Sequence, residues 1–258
     1  MADGAVEFTV SRDIGTITLH RPDKFNALDV NMLEQLAACV ESAEAADDVR
    51  VVLLCGAGKG FCAGGDIEAW SRLSPADFQI KWIRFGARVF DRLAGLRQPV
   101  IAVLHGHALG GGLELAAAAD FRVAEPHIKL GFPEAGIGVV PGWSGTQRAV
   151  RRFGGQAVRR MALGGEILSA EDALNLGVID RLAPPGNALA VATEWAGDIA
   201  KRAPLASEAV KMLIGVAENE DAGTMAETLA SGCLSATGDF KEGANAYAQK
   251  RDPQFNRS

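Results

Sequence analysis

Several features that would place a chain of this size quickly are scarce or missing here. Only four cysteines occur in 258 residues, Cys39, Cys55, Cys62 and Cys233, and they are scattered. They show neither disulfide nor metal-ligand spacing, which fits a chain whose thiols stay reduced. No apolar run approaches the roughly 18 residues that a membrane span needs. The opening MADGAVEFTV lacks the basic-then-apolar layout of a signal peptide, so a soluble, cytoplasmic protein is expected. Excess positive charge is missing too: 26 Lys and Arg face 32 Asp and Glu, a formal net charge of −6. That balance speaks against nucleic acid or an anionic membrane as the main partner, and an anionic small ligand would have to find a local basic cluster. No low-complexity tract is present, so disorder is expected only in the last few residues.

What the chain does have is 48% hydrophobic residues, enough for one large domain or a domain with a small appendage. VEFTV and IGTITLH read as β-branched strands joined at Asp13. VNMLEQLAACVESAEAA places apolar residues at helical spacing, with Asp29 as an N-cap. VRVVLLCG is a continuous apolar run suited to a strand buried on both faces, and QPVIAVLHG is another. A long helix is expected from about Pro75 to Leu96, and a glycine-led helix over 110–119. Strands alternating with helices imply crossover units, hence an α/β architecture with mainly parallel pairing. From about Gly154 onward the segments read as helices separated by glycine or proline.

The most pointed stretch is HGHALGGGLELAAAAD, residues 105–120. Three glycines stand in front of a strong helix former, although each costs a helix roughly 1 kcal/mol relative to alanine. Two readings explain them. Unpaired backbone N–H groups at the helix start can meet an anion or a developing oxyanion, with no Cβ in the way; or strand and helix simply pack closely. A second glycine-rich loop, GKGFCAGGDI at 58–67, also follows a buried strand. The two would neighbour each other at the carboxyl edge of the sheet, where ligands of α/β folds bind. Cys62 reads as a small buried thiol rather than a nucleophile, because no histidine partner is evident.

Two carboxylates complete the picture. Glu114 falls on an otherwise apolar helix and Glu134 lies in the glycine-rich GFPEAGIGVVPG. Singly, each reads as a dipole partner or a loop salt bridge; held at one site with separated pKa values, they can serve as general base and general acid. His105 and His107 read as local hydrogen-bonding residues. Arg151, Arg152, Arg159 and Arg160 read as a solvated or subunit-contact face.

Together these stretches resemble the enoyl-CoA hydratase/isomerase (crotonase) superfamily, over essentially the whole chain. The resemblance is carried by LHRPDKFNALD (19–29), GKGFCAGGDI (58–67), QPVIAVLHGHALGGGLELAAAADFRVA (98–124), GFPEAGIGVVPGWSGTQR (131–148) and EGANAYAQKRDPQF (242–255). It implies a crotonase-like spiral of ββα units with parallel sheets over residues 1–195, holding an acyl-CoA site. Residues 196–258 would form a C-terminal helical region for trimerisation and active-site cover. It further implies that the thioester carbonyl is held by the N–H groups of Gly65 and Gly111. The nucleotide and pantetheine would lie near Lys24, Phe25, Ala63, Asp66, Ile67 and Lys250. Glu114 would accept a proton from attacking water, Glu134 would deliver one to carbon, and the Gly142 backbone would help position the water. No metal and no cofactor beyond the substrate's own coenzyme A are implied, and the assembly would be a homotrimer or a homohexamer. Retention of both glutamates favours a hydratase acting on a 2-trans-enoyl-CoA over a Δ3-Δ2-enoyl-CoA isomerase or a non-catalytic acyl-CoA-binding member. The chain departs from the pattern at Trp143 and Ser144, where many hydratases have two small residues. It also has glycine in CAGGD where alanine is common, and Trp70 lies in a region that varies with acyl-chain length.

Overall fold

The first two strands form the expected hairpin. β1 (Ala5–Ser11) and β2 (Ile14–His20) pair antiparallel, with Val6 opposite Leu19 and Phe8 opposite Ile17. Period-two alternation turns Val6, Ile17 and Leu19 inward. The turn uses Arg12 in a left-handed conformation, φ 56°. The computed structural model describes residues 5–220 and 222–256, in two units, one running to Pro204 and one from Leu205.

In the first unit α1 (Val30–Ala45) is capped by Asp29, whose side chain accepts from the Met32 N–H at 2.8 Å. Its Met32, Leu33, Leu36, Cys39, Val40 and Ala43 recur at helical spacing and are all buried. β3 (Val51–Gly56), β4 (Val100–Leu104), β6 (Phe121–Ala124) and β9 (Arg181–Leu182) continue from β2 in parallel, in the order β1-β2-β3-β4-β6-β9. β5 (Ala108–Leu109), β7 (Lys129–Gly131) and β8 (Leu168–Ser169) make a second, smaller sheet. The mixed α/β fold with mainly parallel pairing is as the sequence implies.

The large sheet is buried on both faces, which is why β3 and β4 read as unbroken apolar runs. Val52, Leu54, Ala102 and Leu104 face one core with α1, while Val51, Leu53, Ile101 and Val103 face another. The second core is closed by α9 (Ala188–Ala200), whose Ala188, Ala192 and Ala196 recur every four residues and let the helix lie close.

Between β3 and β4 come α2 (Ile67–Trp70), α3 (Pro75–Asp77), a π-helical segment at Phe78–Arg84 and α4 (Phe85–Ala94). The last three form one continuous helical run close to the expected span. α5 (Gly111–Ala117) follows β5, and α6 (Gly145–Phe153), α7 (Gly155–Val158) and α8 (Ala170–Asn175) follow β7. Two strands of two residues, β8 and β9, lie in the stretch that reads as wholly helical. They are too short for period-two alternation to register in the sequence.

The second unit is helical, as expected: α10 (Pro204–Ala217), α11 (Ala222–Ser235) and α12 (Gly238–Gln249). Thr237 caps α12 by accepting from the Phe240 N–H at 3.1 Å. Arg251 folds back on Glu242 in a two-pronged pair at 2.6 and 2.9 Å.

Candidate active site

Two loops, one after β3 and one after β4, are stitched together. Bridges join Leu28 to Gly65 and Cys62 to Ala108. The Cys62 N–H donates to the His107 carbonyl at 3.3 Å, and the Leu109 N–H to the Cys62 carbonyl at 3.4 Å. Fully buried Asn26, which the sequence reading does not single out, braces the first loop. Its amide nitrogen donates to the carbonyls of Ala57, Gly60 and Phe61 at 2.9, 2.8 and 3.1 Å, and its oxygen accepts from the Arg21 N–H at 2.8 Å. The available signal is an asparagine, a residue tolerant of positive φ, just after Lys24-Phe25; Asn26 holds φ 58°. Cys62 is buried, its thiol donating to the Asn26 carbonyl at 3.3 Å, and burial pushes its pKa up to about 12. It is a packing residue. His105 and His107 are hydrogen-bonding residues, but to segments distant in sequence, the Gly58 carbonyl and the Lys129 N–H.

The glycines of the second loop have separate reasons. Gly110 holds φ 53°, and a Cβ there would sit 2.9 Å from Glu134 Oε1. A Cβ on Gly111 would lie 2.5 Å from Trp143 Cζ3, and one on Gly112 would collide with the Cys62 carbonyl. Close packing is therefore visible at Gly111 and Gly112. It does not occupy their N–H groups, since both stand in the first turn of α5, where amides have no intrahelical acceptor. On the other loop the Leu28 N–H bonds the Gly64 carbonyl and the Asp66 N–H bonds the Leu28 carbonyl, at 2.8 and 2.7 Å. In such a parallel bridge the N–H of the residue between, Gly65, points the opposite way. A Cβ on Gly64 would lie 3.0 Å from Gly111 N, so the loops touch at this point.

Around that contact lies a cleft that is partly open to solvent. Ala63, Gly65, Ile67, Gly111, Glu114, Glu134 and Gly142 all line it. Its apolar wall comes from Trp70, Phe78, Trp82, Ile83, Ile137, Val139, Val140 and Trp143. Glu114 is 2% exposed and its Oε1 accepts from the Trp143 N–H at 2.8 Å. Burial pushes its pKa from 4.5 to about 7; the hydrogen bond from Trp143 pulls against this, and the charge of Glu134 adds to it. Glu134, at the head of a 3-10 turn (Glu134–Ile137), is 8% exposed, and neither carboxylate oxygen has a hydrogen-bond partner. Burial raises its pKa as well. The cleft thus holds two carboxylates with no cation in it, and the second has both oxygens free to meet a ligand.

Lys24, Phe25 and Asp66 do not line the cleft. Lys24 Nζ lies 3.0 Å from Asp66 and 3.2 Å from Glu68, and Asp66 also meets Arg21 at 2.9 Å. Phe25 is 58% exposed, in a left-handed conformation. Lys250 belongs to the second unit, where it caps α12 and is exposed. Trp143 is a wall residue and a core residue at once, 3% exposed and packed edge-on against Trp82 and Phe90. Among the described residues no group of three His, Cys, Asp or Glu is placed to hold a metal, and no helix is long and apolar enough to cross a membrane.

Comparison with known proteins agrees with the fold. The model of the enoyl-CoA hydratase/isomerase family matches residues 9–258. A probable enoyl-CoA hydratase of Bacillus subtilis is 33% identical over 254 residues, covering 97% of this chain and 98% of that protein. A short-chain-enoyl-CoA hydratase of Clostridium acetobutylicum is 33% identical over 92% of both chains. The crystal structure of an enoyl-CoA hydratase from Bacillus anthracis superposes with a TM-score of 0.81 at 30% identity, covering 98% of this chain and 99% of that one.

Proposed function

The chain belongs to the enoyl-CoA hydratase/isomerase family, and we propose that within it this protein adds water across the double bond of a 2-trans-enoyl-CoA. The observation that carries the reading is the meeting of two buried carboxylates, Glu114 and Glu134, in one cleft with Gly65 and Gly111. The substrate's thioester oxygen would sit between the N–H groups of Gly65 and Gly111. Polarisation of that carbonyl makes C3 electrophilic, and the enolate formed on attack places its negative charge on the held oxygen. Loss of one such donor costs about 3–4 kcal/mol of transition-state binding.

In the same reading ionised Glu114 takes a proton from water as its oxygen bonds to C3, and protonated Glu134 gives a proton to C2. Water's OH and one H are thereby added, and the two acids exchange one proton to reset. Burial raises the pKa of both carboxyls; amides of the 142–145 loop favour the charged form of Glu114, and Glu134 has its own backbone N–H to the same effect, so the assignment of base and acid follows the family resemblance. Gly142 lines the cleft beside both and would share in holding the water. Coenzyme A arrives with the substrate, with Ala63, Ile67, Asp66, Lys24, Phe25 and Lys250 as its expected contacts. A homotrimer or homohexamer belongs to the same proposal, supported by apolar side chains such as Leu213, Leu234 and Phe255 exposed on the second unit; light scattering tests it.

The deciding experiment follows loss of conjugated-thioester absorbance with a panel of 2-enoyl-CoAs. Wild type hydrates at least one of them, and Glu114→Gln loses about two to four decades of rate. An enzyme that shifts a double bond through Glu134 alone would be barely touched by that change, and a non-catalytic member would bind acyl-CoA but turn over none. Either outcome overturns the proposal.

A further inference from the structure

We propose that Trp143 is a positioning residue: its indole is a strut between α4 and α5 that fixes the peptide donating to Glu114, and so fixes where that carboxylate points. The inference deepens the hydratase reading above and rests on it for the role of Glu114.

Three polar ties converge on this one residue. Its main-chain N–H donates to Glu114 Oε1 at 2.8 Å, its carbonyl accepts from Arg148 Nη1 at 3.4 Å, and its indole N–H donates to the Trp82 carbonyl at 3.1 Å. The ring stands edge-on to Trp82 and Phe90, with centroids 4.7 and 5.0 Å away. Two glycines make room for it. A Cβ on Gly86 of α4 would lie 2.7 Å from indole Cδ1, and one on Gly111 of α5 would lie 2.5 Å from Cζ3. The ring therefore lies between the two helices, with one edge against each glycine.

The surrounding loop shows why such an anchor matters. Residues 135–142, from the end of Glu134 to Gly142, are exposed or half-buried; Trp143 is the first buried residue after Glu134. The next residue, Ser144, holds φ 63°, a left-handed conformation disfavoured for a residue with a Cβ. A loose turn would relax out of that conformation. With the indole seated and α6 beginning at Gly145, it is held, and the Trp143 amide is held with it. Other ionisable groups near Glu114 are Glu134 across the cleft and Arg148, behind the Trp143 carbonyl and paired with Asp91. None of these donates to Glu114 in place of the amide.

Three variants test the strut: Trp143→Phe, which keeps a ring but loses the indole N–H; Gly86→Ala, which lies outside the cleft and displaces the indole; and both together. Two readouts are taken. One is kcat and KM on the best enoyl-CoA. The other is the titration of the Glu114 carboxyl by carbon-13 NMR, assigned by its disappearance in Glu114→Gln and independent of turnover. Each single variant should lower kcat about ten- to hundredfold, the scale of a catalytic group displaced by about 1 Å, with KM within about threefold. Each should also move the Glu114 titration to higher pH, because a donor that favours the ionised form is lost. The double variant should fall short of the product of the singles, since the smaller phenyl ring leaves space for a methyl group at position 86. A Glu114 titration that stays at the wild-type pH in both single variants overturns the proposal, whatever the rates do. If Trp143→Phe does not fold, Gly86→Ala carries both readouts. A wild type inactive on every enoyl-CoA would fell the hydratase reading, while the titration still decides the strut.

Discussion

Three carboxylates are buried beside the same pair of loops, and their surroundings drive them in opposite directions. Glu114 and Glu134 lie in the cleft with no cation there, and burial raises both. Asp66 lies one residue beyond Gly65 and is 6% exposed; burial would raise it too, but Lys24 and Arg21 outweigh that and hold it below the usual aspartate value. Low exposure therefore says little by itself. The presence or absence of a cation separates a carboxylate that braces the fold from one that is kept able to gain and lose a proton.

The sharpest way to break this contrast is to neutralise each carboxylate in turn and measure turnover. Glu114→Gln and Glu134→Gln should each cost about two to four decades in kcat, and the double variant little more than the worse single, since an acid and a base that act together fail together. Asp66→Asn should leave kcat within a few-fold. Losses that multiply in the double variant would mean that the two glutamates do not share one reaction.

Next in size is Gly110→Ala. Position 110 combines φ 53° with a carboxylate oxygen 2.9 Å from where a Cβ would be. The substitution should strain the backbone by about 1–3 kcal/mol and displace Glu134, lowering kcat about tenfold or more while KM stays nearly constant. A variant with lowered melting temperature but wild-type kcat would show that Glu134 is not seated on this glycine.

How much of this can be read from sequence depends on the kind of signal. Buried parallel strands announce themselves as apolar runs, so β3, β4 and their glycine-rich exits are legible, as is the N-cap at Asp29. Glu114 and Glu134 stand out because a carboxylate on an apolar helix or after a loop proline is chemically conspicuous. Their company in one cleft is suggested by resemblance, not by spacing, because 20 positions and two strands, β6 and β7, separate them. Asn26 and Gly86 are silent: one is a polar residue in a polar loop, the other a glycine inside a helix, and only the carbonyls and the indole beside them give them meaning. Trp143 is visible as a departure, but whether it bounds the cleft or fills the core depends on Trp82 and Phe90, more than fifty residues earlier.

A smaller effect, opposite in sign at the two places, should appear in stability. Glu114 has a folded pKa of about 7 against 4.5 unfolded. The folded state thus binds its proton more tightly, an advantage present below pH 4.5 and lost as pH rises through about 7. Glu114→Gln should therefore melt with wild type near pH 4.5 and above it at pH 8, by up to about 3 kcal/mol. Asp66 is the reverse: its folded pKa is depressed, so its contribution is present above the unfolded value and lost as pH falls. Asp66→Asn should melt below wild type at pH 7 to 8, by about 1–3 kcal/mol, and the gap should narrow in acid. Thermal melts of both variants across pH check the crossing, and curves of the same sign would erase the distinction between cleft and brace.

The smallest expected effect bears on the edge of the braced region. The resemblance places Lys24 beside the pantetheine or phosphates of coenzyme A, yet its ammonium is shared between Asp66 and Glu68 and its side chain is 30% exposed. Pairs this open to solvent contribute little, because water and salt screen them. Asp66 keeps Arg21 at 2.9 Å when Lys24 is removed. Lys24→Ala should accordingly leave kcat unchanged and raise KM by no more than about fivefold, with the difference fading at high salt. A larger rise, above about tenfold, would mean that Lys24 leaves its carboxylates for the ligand. Asp66 would then lose one of its two cations in every substrate complex, and the division between a bracing carboxylate and the reactive pair would not survive substrate binding.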